Sequence, residues 1–158
     1  MSHALSAENP TTLARGVTPV VTSDAASRGS YLSNGQVWAG RILSGIAVLF
    51  LLFDAAMKVF KLPAAVDGTV QLGYPAGVLV PLGIIQIVCL ILYLIPRVSP
   101  LGAVLWTGYL GGAVATHVRL GNPLFTHVLF PTYVATLLWV GLWLRDPRVR
   151  ALLTPRAR

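Results

Sequence analysis

Six side chains that can carry charge, hold a proton or grip a ligand interrupt an otherwise apolar sequence: Asp54, Lys58, Tyr109, His117, Arg119 and His127. Asp54 and Lys58 stand four residues apart with the acid first, the favourable order for an ion pair on a helix. Either the pair neutralises itself, with Lys58 reaching toward headgroups, or Asp54 pairs across the molecule with Arg119 or a histidine and lines a polar pocket. His117 and His127 together with a carboxylate match zinc or non-haem iron by residue type. Their separation of ten residues with Gly-Asn-Pro between them matches no metal motif. They are expected to hydrogen-bond Asp54, Tyr109 or backbone groups freed at Pro131, and no metal site is expected.

Other chemistry finds little support. There is no Ser/His/Asp set, no phosphate-binding glycine loop and no dinucleotide fingerprint. A single cysteine, Cys89, excludes dithiol chemistry within one chain and reads as a small core residue. The aromatics Tyr93, Trp106, Tyr109 and Trp139 suit either a flat-ligand pocket, as for a quinone, or an ordinary core. The six polar residues therefore form a candidate ligand-binding set; no catalytic residues are legible and a stand-alone enzyme is not expected.

The elements that must position this set are membrane helices. The 158 residues are 55% hydrophobic and only 11% charged, with mean hydropathy +0.72. A soluble domain carries roughly 25% charged residues, so this surface is built for lipid. In lipid the backbone must satisfy its own hydrogen bonds, and spans of ~20 apolar residues cross a ~30 Å core. Four such helices are expected, at about residues 37–60, 75–95, 100–118 and 123–144, which makes an all-α, integral membrane four-helix bundle over residues 37–147. Residues 1–36 lack apolar periodicity and read as a disordered tail; residues 148–158 read as a basic tail.

Local signals refine these helices. On the first, Gly40, Ser44, Ala47, Leu51, Asp54 and Lys58 share one face, small residues leading into two charges; this face should turn inward. A short surface helix is expected over about residues 63–72, opened by Pro63 and stopped by Gly73. Pro81 should kink the second helix or delay its regular bonding, and Gln86, Cys89 and Tyr93 form its polar stripe. Ser99 then Pro100 reads as a cap and first-turn proline. Gly108, Gly112 and Thr116 form a small-residue ridge, read as helix packing within the chain in preference to a dimer seam. Pro131 should kink the fourth helix.

Arginine placement orients the bundle. One side holds Arg15, Arg28, Arg41, Arg97, Arg145, Arg148, Arg150, Arg156 and Arg158, the other Lys58, Lys61 and Arg119, nine against three. The positive-inside rule puts both termini in the cytoplasm, with Trp38 and Trp143 in the interfacial belt there. The candidate set then gathers at the non-cytoplasmic end, together with Tyr74. The net charge of +7 is explained by this bias, and no nucleic-acid partner is expected.

GRILSGIAVLFLLFDAAMKVF, QLGYP, PLGIIQIVCLILYLIPR, LGAVLWTGYLGGAVATHVRLGNPLFTHVLFP and LWVGLWLRDPRVRALL together resemble the DoxX-like family of small bacterial membrane proteins. The most specific stretches are TGYLGGAVATH at residues 107–117 and LFP at 129–131, and the likeness covers roughly residues 37–153. The resemblance implies a four-helix protein of the bacterial inner membrane. Broader relatives include membrane subunits of thiosulfate:quinone oxidoreductase, so by analogy alone it implies a quinone as possible cofactor and another membrane or redox protein as partner. The expected function is an accessory component of a membrane redox or stress-related complex, with a polar pocket near the non-cytoplasmic face. The alternatives are a structural or assembly subunit and a small dimeric transporter.

Overall fold

The computed structural model describes residues 33–153. Most of the expected tail over residues 1–36 lies outside them, as does the C-terminal stretch 154–158. Helix α1, Asn34–Val59, begins three residues before its expected start. The reason is a capping box. The Ser33 hydroxyl accepts from the Gln36 amide at 3.3 Å, and Gln36 Oε1 accepts from the Ser33 amide at 3.4 Å.

Lys61 takes the left-handed conformation (φ 51°) and turns the chain into α2, Pro63–Gln71, which opens on Pro63. Gly73 (φ 81°) ends the connection. A 3-10 turn over Ala76–Val78 feeds α3, Leu79–Leu94. Pro81 therefore sits in the first turn of α3. There its missing N–H leaves no intrahelical bond unmade, so of the two outcomes expected for Pro81 the structure shows the second: regular helical bonding is delayed to the segment it opens, with no kink within it.

Helix α4 is Ser99–Arg119, with Val98 in the capping position. Ser99 caps nothing; its hydroxyl donates to the Tyr93 carbonyl and ties α4 to the end of α3. Gly102 packs directly on the Tyr93 backbone. After Gly121 (φ 66°) comes one π-helical turn, Leu124–Val128, then α5, Phe130–Arg145. Pro131 stands in the first turn of α5, so the expected bend becomes a break between two helical segments. Helix α6, Pro147–Leu153, occupies the first half of the expected basic tail.

All regular structure among the described residues is helical. Three segments are long and apolar enough to cross a membrane: Asn34–Val59, Ala76–Leu94 and Leu124–Arg145. Helix α4 matches them in length, but its glycines, threonines, Tyr109 and His117 dilute its hydropathy.

Helix α1 packs on α3 and α5, and α4 packs on the same two; α1 and α4 face each other across the middle without close packing. The face of α1 expected to turn inward does so, with Gly40, Ser44, Ala47, Leu51 and Ala55 buried. At the α1–α5 crossing the backbones touch. A Cβ on Gly40 would lie 2.8 Å from the Gly141 carbonyl oxygen, and one on Gly141 would lie 2.9 Å from the Ser44 nitrogen. Trp106, Tyr93, Leu138, Leu142 and Leu51 fill the core. The Tyr93 hydroxyl donates to the Leu138 carbonyl at 2.8 Å and accepts from Ser44 Oγ at 3.0 Å, so this buried polar group is fully partnered. Large apolar side chains such as Leu49 (68% exposed) and Phe53 (64%) face outward, as a lipid surface requires.

The ridge on α4 departs from expectation. Gly108 and Gly112 are exposed, and a Cβ on either would meet nothing within 4 Å. They do not pack against a neighbouring helix. They leave room beside α4 instead.

Candidate functional site

That room is a cavity of about 470 Å³ between α1 and α4, where the two facing helices fail to meet. Phe50, Leu82, Phe130 and Val134 supply apolar wall, Gly108 and Gly112 supply bare backbone, and Asp54, Lys58, Gln86 and Tyr109 supply polarity. The Phe50 and Phe130 rings meet edge to face at 5.5 Å. A second cavity of about 620 Å³ adjoins it under α2, lined among others by Gln71, Asn122 and His127. Asp54, Lys58, Thr69, Leu72 and His117 border both.

Asp54 is the hub. Lys58 Nζ donates to its Oδ2, and Gln86 Nε2 donates to the same oxygen at 2.6 Å. The Lys58 side chain is only 16% exposed, against 37% for Asp54. Lys58 thus folds back on the carboxylate and does not reach outward to headgroups. The two charges cancel where full ionic solvation is missing, the arrangement that makes a partly buried charge tolerable. Asp54 meets neither Arg119 nor a histidine.

Tyr109 lines the inner cavity, its ring edge against Trp106 at 5.5 Å. Among the described residues its hydroxyl has no hydrogen-bond partner. Beside it Thr116 Oγ1 gives its proton to the Gly112 carbonyl at 2.9 Å, so the Tyr74 hydroxyl is the donor in the 2.9 Å bond to Thr116. This ties the loop before α3 to the end of α4.

The histidines come together at the outer cavity, ring centroids 5.8 Å apart and edge to face. His117 Nδ1 lies 2.8 Å from the Asn122 amide nitrogen, which donates, so the neutral ring carries its proton on Nε2. His127 Nδ1 lies 2.8 Å from Thr126 Oγ1. Their partners are thus local, not Asp54, Tyr109 or the backbone at Pro131. Among the described residues no three His, Cys, Asp or Glu side chains converge as metal ligands would. Arg119 borders neither cavity. Its Nη2 donates to the Leu72 carbonyl at 2.8 Å and clamps the turn at Gly73.

The sequence-derived set therefore divides. Asp54, Lys58, Tyr109 and His117 share the inner cavity, His127 lies at the outer one, and Arg119 holds the loop. The four aromatics do not form a flat-ligand pocket: Tyr93 and Trp106 are wholly buried core, and Trp139 Nε1 donates to Thr107 Oγ1 at 2.8 Å. Gln86, Thr69 and Thr116 had not been singled out as site residues. Gln86 carried a usable signal, since a primary amide in a membrane-length apolar run needs a polar partner.

The far end is tied together by arginines. Arg145 Nη2 donates to Ser99 Oγ at 3.1 Å, and its guanidinium lies 4.9 Å from the Tyr93 ring centroid. Arg148 reaches the Pro96 carbonyl and grips Asp146. Arg41 stacks on Trp38 at 5.7 Å and Arg150 on Trp143 at 4.5 Å, pairings suited to a membrane interface.

The sequence profile of the DoxX-like family matches residues 42–141, a stretch that contains both cavities' α1, α2, α3 and α4 walls. No curated protein and no solved structure matches the chain.

Proposed function

The chain belongs to the DoxX-like family, and from that premise we propose that it is a four-helix protein of the bacterial inner membrane, with both termini cytoplasmic. Its role is that of an accessory component in a membrane redox or stress-related complex. Its working part is the pocket at the non-cytoplasmic end, where Asp54, Lys58, Tyr109 and His117 receive a small polar ligand or the headgroup of a quinone or lipid. The observation that carries this reading is the cavity of about 470 Å³ with the Asp54–Lys58 pair on its wall. Gly108 and Gly112 bring no side chain to fill this space and leave it open beside α4.

The orientation rests on charge. Arg41, Arg97, Arg145, Arg148 and Arg150 lie toward one end, and Lys58, Lys61 and Arg119 toward the other, so the positive-inside rule assigns the first end to the cytoplasm. A redox partner rests on the family resemblance.

A second reading, a structural or assembly subunit without a ligand, draws support from the same hub: Asp54 and Lys58 satisfy each other inside one helix. Purification in mild detergent followed by mass spectrometry of co-purifying small molecules and proteins separates the two. A bound molecule lost on Asp54→Asn, at unchanged abundance, supports the pocket. A clean protein whose abundance falls with Asp54→Asn supports the structural role.

A further inference from the structure

Gln86 is 1% exposed, yet its Oε1 meets no donor. A buried acceptor left alone forfeits the hydrogen bonds it makes in water. Turning the amide over does not relieve it. Asp54 Oδ2 lies 2.6 Å from Nε2, and the turned amide would set two acceptor oxygens against each other at that distance. Lys58 donates to the same Oδ2 and fills the remaining place on it. Gln86 is thus fixed with its nitrogen on Asp54 and its oxygen unclaimed. Asp54 Oδ1 likewise receives no hydrogen bond among the described residues. On the α4 wall of the same cavity the Tyr109 hydroxyl is unclaimed too, among the described residues. All three residues border the inner cavity.

We propose, resting on the reading that this cavity binds a ligand, that the ligand is an uncharged amphipath whose head is a hydroxyl, an alcohol or a phenol. Its O–H donates to Gln86 Oε1, and the Tyr109 hydroxyl donates to its oxygen. The apolar body lies along Phe50, Leu82, Phe130 and Val134. An anionic head fits poorly. Its oxygens would face Asp54 and Gln86 Oε1, and the Lys58 ammonium on the same wall is already matched by Asp54. A cationic head would leave two positive charges against one carboxylate.

The test uses the full chain in phosphatidylcholine nanodiscs and three photoreactive probes with the same diazirine-bearing alkyl tail: a phenol, its methyl ether and the corresponding carboxylate. Labelled peptides are identified by mass spectrometry. The phenol should label the segments carrying Phe50, Leu82 and Phe130 about 3–10-fold more than the ether, the worth of one hydrogen bond. Gln86→Met should remove that preference. Should Gln86→Met fail to fold, the phenol–ether comparison on the unaltered protein decides alone. Equal labelling by phenol and ether overturns the proposal. Preferential labelling by the carboxylate overturns it while leaving the pocket intact, and no labelling by any probe overturns both. Water-soluble p-cresol should compete far more weakly than 4-nonylphenol; equal competition would mean the tail plays no part and would overturn the amphipath.

Discussion

The Gln86 amide reaches across from α3 to the Asp54 carboxylate on α1, its nitrogen 2.6 Å from Oδ2, and this one bond joins an intrahelical ion pair to the neighbouring helix. It converts a local pair into an inter-helix contact. Lys58, Asp54 and Gln86 then act as one unit, and removing one member affects the others.

Lys58→Met should leave Asp54 half-buried without its countercharge, and Asp54→Leu should strand Lys58. Each should destabilise by about 1–3 kcal/mol, below the cost of breaking a fully buried pair because water still reaches the Asp54 carboxylate. The double variant should be less harmful than the sum of the singles by about 0.5–3 kcal/mol. Thermal unfolding in mild detergent measures all three. Strict additivity would mean the two charges are not energetically coupled.

The glycines should fall into two classes. Gly141→Ala pushes a methyl against the Ser44 backbone, 2.9 Å from its nitrogen, where two helices already touch. The expected loss is about 1–3 kcal/mol from overpacking. Gly112→Ala meets open space and removes a helix-interior glycine, so it should be neutral or stabilising by up to about 1 kcal/mol. Measured side by side, the melting temperature of Gly141→Ala should fall while that of Gly112→Ala stays level or rises.

That contrast marks what was legible in the sequence. The stripe Gly40, Ser44, Ala47 and Leu51 on α1 predicted its inward face, because small residues at helical spacing allow close approach. The same rule misread Gly108 and Gly112, since a glycine face can pack a helix or border a cavity, and only the placement of the facing helix decides between them. Pro81 and Pro131 were visible as interruptions. Whether a proline kinks a helix or opens one depends on where the preceding segment stops, and the 3-10 and π turns set that. The spacing of Asp54 and Lys58 allowed an intrahelical pair but left open a partner across the bundle; the structure shows the pair. Gln86 joins them only through the α1–α3 register, which no local pattern encodes. Arg119 entered the candidate set because it ends α4 on the same side of the membrane as Asp54 and His117; its position two residues past His117 puts it on another face of the helix, where it meets Leu72.

The orientation is open to a direct test. Cys89 is buried, so single-cysteine variants at exposed loop positions start from a low background. Lys61→Cys, in the turn after α1, should react with a membrane-impermeant maleimide in intact spheroplasts. Arg97→Cys, in the short α3–α4 loop, should react only after permeabilisation. The reverse pattern would invert the protein and move the pocket to the cytoplasmic face.

The last prediction concerns the arginine-tied end. Asp146 is 8% exposed and accepts from Arg148 three times: from its amide at 2.9 Å, from Nε at 3.2 Å and from Nη2 at 2.9 Å. The side-chain hydrogen bond from Arg148 is the largest influence and, despite burial acting the other way, holds the carboxyl below its usual range. The ionised form is therefore the one the folded state favours. Its contribution is fully present above the unfolded value of about 3.9 and is lost as pH falls through the lower folded value. The melting temperature of the unaltered protein should thus decline as pH is lowered from about 5 into that range. Asp146→Asn keeps an acceptor but cannot ionise. It should melt lower than the unaltered protein at neutral pH and show a flatter acid limb, the two curves converging at the acid end. Parallel curves over that range would place the acid sensitivity in other groups and leave Asp146 a simple helix-entry residue for α6.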